Sequence, residues 1–367
     1  MDNVSYKCPA CAAPLKFSNK TQNWKCGSCA NEFTLQNLKD FYDTEILKDD
    51  EPLNWKDYDF TSGSGDWTES EKEVLSESRC NSCGAEIIKD KNKAATKCVY
   101  CGNTVLIPMR FSGTFRPDYV IPFKHDKDMA IKQYKDFCKG KRLLPKQFLE
   151  QSHIEEITGI YAPFWLYNCD ATGELVYSAK RVTSYNKGSY LITHTDHYRV
   201  NRAGSIIFNR IPVDGSIKLA DEYMEAIEPF DYSHLEPFTP AYLSGFLADK
   251  YDVNAKEGQP RVEERVKNSV RDMLTNSVKG YTSLKVSGES YLAENTDIKY
   301  ALLPVWMLNT IHKGKAYTFA MNGQTGKFVG NLPVDKGLYF KYLLGIGFGF
   351  SAAIYAVIIG LKFLGVM

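Results

Sequence analysis

Net charge is nearly absent from this chain: 45 lysines and arginines stand against 44 aspartates and glutamates in 367 residues, a formal +1. Such a balance supplies no global field for nucleic acid or an anionic membrane. Histidine is scarce, at six residues, and none falls in an H-E-x-x-H pair; no G-x-S-x-G elbow occurs either. The G-K pairs at Gly140, Gly314 and Gly326 lack the following Ser or Thr and the upstream glycine of a phosphate loop. His194 and His197 lie three apart on a predicted strand, where side chains alternate, so they make a poor ligand pair. His125, His153, His234 and His312 are scattered, Cys138 and Cys169 sit in apolar segments where inert buried thiols are the default, and no pair of acids has a general acid–base spacing. The expectation is a protein without catalytic residues, not an enzyme. The N-terminal MDNVSYKCPAC has no apolar h-region and no basic n-region, so no secretory signal is read there.

Wholesale disorder is also excluded, because 44% of residues are hydrophobic and 13% aromatic. The length suggests two or three units. Two features then stand out, the cysteines and the last stretch of chain.

Eight of the ten cysteines form four C-x-x-C pairs. Cys8 and Cys11 are followed by Cys26 and Cys29; Cys80 and Cys83 are followed by Cys98 and Cys101, each 72 positions after its counterpart. Zinc takes four soft ligands in a tetrahedron, and two C-x-x-C knuckles facing each other across a hairpin supply them. The spacing predicts two zinc ribbons, each holding one Zn2+, with Gly27, Gly84 and Gly102 at the tight turns. Disulfides are the competing reading, disfavoured in the cytosol. Each module is too small for a core of its own, so metal supplies most of its folding free energy.

The charges of the ribbons differ. Residues 1–35 carry a net +2 and residues 79–110 a net +4, whereas residues 36–78 hold thirteen acids and four lysines. That acidic linker repels phosphate close to either ribbon, and Trp24 reads as packing its hairpin rather than stacking on a base.

From Tyr342 to Leu361 twenty residues carry no charge at neutral pH. As a helix they span roughly 30 Å, the thickness of a bilayer's hydrocarbon core. Lys327, Lys336 and Lys341 precede the span, so the long N-terminal portion is expected in the cytoplasm and the last residues outside. The reading is a single-pass, tail-anchored protein of the cell membrane. Gly345, Gly349 and Ala353 recur every four residues, a spacing that lets two helices approach closely, either in a homo-oligomer or with another membrane helix.

The fold class expected is α+β: zinc ribbons over 1–38 and 79–109, an acidic linker over 39–78, an antiparallel-β-rich body over 110–335, and a transmembrane helix over 338–363. In the body, helices are expected from Asp126 to Cys138, from Thr239 through Leu247 and from Val262 to Val278. Hairpins are expected over 173–200 and 301–321, with a tight turn at Asn322 and Gly323. The segments YAPFWLYN and LLPVWMLN share P-x-W-x-x-N 141 positions apart, which suggests an internal repeat.

The stretches CNSCGAEIIKDKNKAATKCVYCGNTVLI, RPDYVIPFK, GIYAPFWLY, EPFDYSHLEPFTPAYLSGFLADKYD, LLPVWML and FAMNGQTGKFVGNLP resemble the bacterial TFIIB-type zinc-ribbon-containing membrane proteins, often catalogued as primosomal-protein-N′-like or replication-restart-like. The resemblance runs from about Cys80 to the C-terminal helix and implies that Cys80, Cys83, Cys98 and Cys101 are metal ligands. It also implies partners among membrane-stress scaffolds of the PspA and SPFH type. The function expected is a membrane-anchored cytosolic adaptor recruiting proteins; the alternative is a membrane-tethered ribbon protein that binds nucleic acid.

Overall fold

The computed structural model describes residues 65–91, 97–104, 106–109 and 115–363, and within the first sixty residues positions 8, 13, 15–18, 21, 23–34, 37 and 54–55. In chain order the strands are β1 (Leu15–Ser18), β2 (Asn23–Cys26), β3 (Glu32–Phe33), β4 (Asn54–Trp55), β5 (Leu75–Cys80), β6 (Glu86–Asp90), β7 (Leu106–Met109) and β8 (Tyr119–Val120). They continue with β9 (Thr158–Lys187), β10 (Tyr190–Asp214), β11 (Glu236–Pro237), β12 (Leu247–Asp249), β13 (Ser283–His312), β14 (Lys315–Asn322) and β15 (Phe328–Gly330). The helices are α1 (Glu69–Val74), α2 (Lys127–Cys138), α3 (Gln151–Ile154), α4 (Asp221–Ala226), α5 (Ala255–Ser277) and α6 (Lys336–Phe363). The α+β class expected from the sequence is the one observed.

Two compact units interleave along the chain: one comprises 1–60, 167–211 and 259–298, the other 61–166, 212–258 and 299–367. In the first, β1, β2 and β3 form a small antiparallel sheet, and β4 pairs in parallel with β13 at Leu292 and Ala293. Helix α5 turns Val262, Val266, Val270 and Leu274 inward, one residue per turn of a 3.6 period. It lies so close to β9 that a Cβ on Gly173 would stand 2.5 Å from Val270. Arg271 and Glu289 form a double charge-assisted contact beside it.

In the second unit the sheet runs β11-β8-β13-β9-β12-β6-β5-β7, with β14 and β15 added beyond β13. One apolar cluster gathers Ile87, Ile121, Ile160, Phe164, Leu247 and Leu303; a second gathers Tyr134, Phe148, Trp306, Phe319 and Met321.

An internal repeat is visible in the hydrogen bonds of this unit. Gly215 donates its N–H to the Pro163 carbonyl (2.8 Å) and accepts from the N–H groups of Asp252 (2.9 Å) and Val253 (3.1 Å). Gly323 donates to Pro304 (2.8 Å) and accepts from Lys124 (3.0 Å) and His125 (2.9 Å). The indole N–H of Trp165 closes the first set on the Val253 carbonyl (2.9 Å), and that of Trp306 closes the second on the His125 carbonyl (3.0 Å). Both sets lead into a capped helix: Asp126 accepts from Met129 N–H at α2, and Asn254 accepts from Glu257 N–H at α5. The short strands obey the same rule in exchange. Leu247 of β12 pairs in parallel with Ile160 of β9, and Tyr119 of β8 pairs in parallel with Ala301 of β13.

Three local expectations are corrected. Residues 239–247 form a 3₁₀ turn at Pro240–Leu243 followed by β12, not a helix; Gly245 adopts φ +85° and ends the turn, and Leu247 is claimed by the sheet. Helix α5 begins at Ala255 and passes through Pro260, because Asn254 and Glu257 form a reciprocal capping box that secures the first turn. Asn322 and Gly323 open a longer loop than a tight hairpin, with the Asn322 side chain accepting from Gln324 and Thr325 N–H. Most of the acidic linker falls outside the described residues. In its last part Trp67 is buried edge-on against Phe238, and Thr68 and Glu71 make a capping box at α1.

The repeat makes unequal demands on its two glycines. A Cβ on Gly323 would meet Phe123 at 2.7 Å and Pro304 at 2.9 Å, whereas one on Gly215 would meet nothing closer than 3.2 Å. Gly323→Ala is therefore expected to destabilise by about 2 kcal/mol and Gly215→Ala by clearly less, read as urea midpoints of the two variants.

Candidate metal centres

The second cysteine module is built on β5, β6 and β7. The N–H of Cys80 donates to Ala85 (2.8 Å) and that of Gly84 donates back to Cys80 (2.9 Å); Cys98 with Asn103 (2.8 Å) and Gly102 with Cys98 (2.9 Å) repeat the pattern. These turns aim the thiols inward. Cys80 and Cys101 sulfurs lie 3.5 Å apart, Cys83 and Cys98 sulfurs 3.6 Å, and all four fall within 4.8 Å of one another. A tetrahedron of zinc–sulfur bonds of about 2.3 Å has edges of about 3.8 Å, and a disulfide would need about 2.05 Å. The set has metal-site dimensions.

In the first module Cys8, Cys26 and Cys29 come together, with Cys8 and Cys29 sulfurs 3.5 Å apart; Cys11 lies outside the described residues. Cys26 N–H donates to Asn31 and Ala30 N–H to Cys26, the same knuckle as in the second module. The position that must turn left-handed is the fourth after the first cysteine: Gly84 (φ +74°), Gly102 (φ +71°) and Ala30 (φ +60°). The expectation that Gly27 serves this purpose is thereby corrected. Trp24 is half-buried on β2 opposite Phe33 of β3, in keeping with a packing role.

Thiol acidity within the second set is graded. Burial opposes ionisation of Cys80, yet the N–H groups of Cys83 and Ser82 and the neighbouring thiols outweigh it and bring its pKa down to about 7. Burial pushes the Cys83 and Cys98 thiols up. A bound dication reverses that penalty for Cys83 and Cys98.

The second module is fused to its unit. Cys80, Ala85, Ile87 and Cys98 belong to the same apolar cluster as Ile160 and Phe164. Asn309, the last residue of the second P-x-W-x-x-N, donates its side-chain amide to the Val99 carbonyl in the knuckle (2.8 Å) and accepts from Thr318 (2.7 Å). β12 lies between β9 and β6, and Lys250 just after it bridges buried Glu77 (2.8 Å) and Glu86 (2.8 Å). Two basic residues of this module make exposed contacts with the protein itself: Lys97 pairs with Glu156 (2.9 Å), and Lys91 donates to the carbonyls of Lys72 and Glu73. By contrast Gly27, Ser28, Ala30, Asn31 and Glu32 of the first module are exposed.

None of the other residues weighed from the sequence joins a metal cluster among the described residues. His194 and His197 are exposed on β10, and His194 pairs with Asp196. Cys138 and Cys169 are buried, and burial raises both thiols. Helix α6 contains a 24-residue stretch, Lys336–Ile359, whose most apolar part has mean hydropathy 2.0 and is not buried; it is long and apolar enough to cross a membrane. No neighbouring atom stands within 4 Å of where a Cβ would project at Gly345 or Gly349.

Two predictions follow from this geometry. Ala30→Gly should relieve a left-handed alanine, and Gly102→Ala should impose one; the first is expected to slow zinc loss to a chelator and the second to speed it, each by about 1 kcal/mol in effective stability. The second concerns Asp249, buried at the end of β12, where it accepts from Ser216 Oγ (2.5 Å). Burial raises its pKa to about 7. The folded state then holds the proton more tightly than the unfolded chain, so stability falls as pH rises from about 4 to 7 and is flat above. Asp249→Asn should remove that dependence, gaining up to about 4 kcal/mol over wild type above pH 7 and little near pH 4, measured as paired urea midpoints.

No family model matches the chain, and no solved structure does. It is 32% identical over 346 residues to the uncharacterized protein YdjG of Bacillus subtilis (strain 168), an alignment that covers 94% of this chain and 95% of that protein. The chain therefore belongs to the same protein family as YdjG.

Proposed function

We propose that the protein is a non-enzymatic, membrane-anchored zinc-ribbon adaptor that recruits protein partners to the cytosolic face of the membrane. The observation that carries this reading is the contrast between the two cysteine modules. The second has its knuckles packed into a core and two of its lysines, Lys91 and Lys97, engaged by the protein's own carbonyl and carboxylate groups. The first has an exposed knuckle. Four protein thiolates close a zinc coordination sphere and leave no position for an activated water, so zinc in these sites is structural.

In this reading α6 is the membrane anchor, with the bulk of the chain cytoplasmic, and Gly345, Gly349 and Ala353 pair it with another helix. The resemblance to TFIIB-type zinc-ribbon membrane proteins supports PspA- or SPFH-type scaffolds as the class of partner. Each chain holds two zinc ions, one through Cys8, Cys11, Cys26 and Cys29 and the other through Cys80, Cys83, Cys98 and Cys101.

Elemental analysis of the purified full chain should give two zinc per polypeptide, and Cys26→Ser/Cys29→Ser should give one. The same variant, captured from detergent-solubilised membranes, should lose the protein partners that wild type retains while its body stays folded. An unchanged partner list would overturn the adaptor reading. Salt-sensitive retention of DNA or RNA by the wild-type chain, lost in the variant, would replace it with the nucleic-acid alternative.

A further inference from the structure

The hairpin of β9 and β10 ends in a tip that combines full exposure with nonpolar side chains. Every residue from Arg181 to Leu191 is exposed. The hydroxyl pairs Thr172–Ser205 (2.9 Å) and Ser184–Thr193 (3.0 Å) share one unbroken register, which closes on a two-residue turn with Gly188 at φ +62°. That register sets Tyr185 opposite Ile192 and Lys187 opposite Tyr190, all on one face because side chains alternate along a strand. Leu191 stands on the other face. Tyr185 is 56% exposed, Tyr190 78% and Leu191 69%.

A two-stranded ribbon bare on both faces is marginal in water, and nonpolar side chains at its end add to the cost. The charge pattern indicates what covers it. From Leu175 to Thr195 there is no acidic residue, whereas Lys180, Arg181 and Lys187 are present. Arg181 is engaged near the base of the ribbon, donating to Gly280 O (3.0 Å) beside the Tyr198 and Tyr281 rings. Lys187 sits at the tip between tyrosines. Tyrosine, leucine and isoleucine around a lysine, with acids excluded, match the headgroup region of a bilayer, where amphipathic rings settle at the interface and a cation is attracted to an anionic leaflet. One tip lysine is too few for nucleic acid, whose affinity needs several phosphate contacts. The chain also carries α6, and a tether to the membrane lets a contact of low intrinsic affinity be occupied.

We propose that the hairpin tip, Tyr185 to Ile192, seats on the anionic phospholipid surface of the membrane that α6 enters. The proposal rests on the reading of α6 as a membrane anchor.

The test uses the full chain in proteoliposomes of mixed phosphatidylglycerol and phosphatidylcholine, with Tyr190 replaced by the photo-crosslinker benzoylphenylalanine. In a parallel sample the crosslinker replaces Ile354 of α6. Lipid adducts are expected at both positions. At Tyr190 the yield should fall several-fold in phosphatidylcholine alone and, in the mixed liposomes, likewise when Lys187→Gln is introduced, whereas at Ile354 it should change with neither. Lipid at Ile354 but none at Tyr190 overturns the proposal and leaves the anchor standing. Absence of lipid at Ile354 removes the anchor and the proposal with it. A chain-to-chain adduct at Tyr190 in place of lipid assigns the tip to a second copy and overturns the proposal.

Discussion

Two glycine carbonyls organise the larger folded unit. Each accepts a pair of backbone N–H groups from a segment distant in sequence, and each pair is locked by a tryptophan N–H. The arrangement demands a residue without a side chain at the crossing, a proline carbonyl behind it and an indole that reaches past it. Buried backbone groups must find partners, and here the partners lie on the other long hairpin's connection. The short strands are exchanged in the same sense, so β8 and β12 each complete a sheet begun by the opposite repeat. Cutting either exchange would leave a row of strand amides unpaired.

From β12 the order passes outward to the second cysteine module. That strand is hydrogen-bonded on one side to β9 and on the other to β6, and Lys250 draws the buried Glu77 and the half-buried Glu86 toward it. Removing the lysine would take the ammonium partner from a glutamate with almost no exposure, a larger loss than a surface ion pair represents. The metal set is thus part of the sheet's architecture. The two modules share a sequence pattern and a knuckle geometry, and among the described residues the second is supported by the Asn309–Val99 contact and the apolar cluster.

Much of this was legible in the residues. The C-x-x-C spacing announced the thiol clusters because two cysteines three apart can share one turn, and the P-x-W-x-x-N echo marked the tryptophans that close the repeat. The apolar run from Tyr342 gave the long helix directly. What escaped is tertiary in origin. Residues Tyr242 to Leu247 have a helical spacing, but hydrogen-bond partners on β9 and β6 draw Leu247 into a strand. Asn254 and Glu257 carried a readable capping box that the proline at 260 masked. Ala30 gave no signal at all, since alanine is seldom found where a turn must be left-handed.

Helix α6 is joined to its unit without slack. Only Asn331 to Asp335 separate it from β15, the Asp335 N–H is held by Leu143 O (2.8 Å), and the Asp335 side chain accepts from Gly337 and Leu338 at the first turn. A stiff coupling of this kind transmits torque: any rotation or tilt imposed on the helix would be delivered to the folded unit as motion of the whole body instead of being dissipated in a swivel.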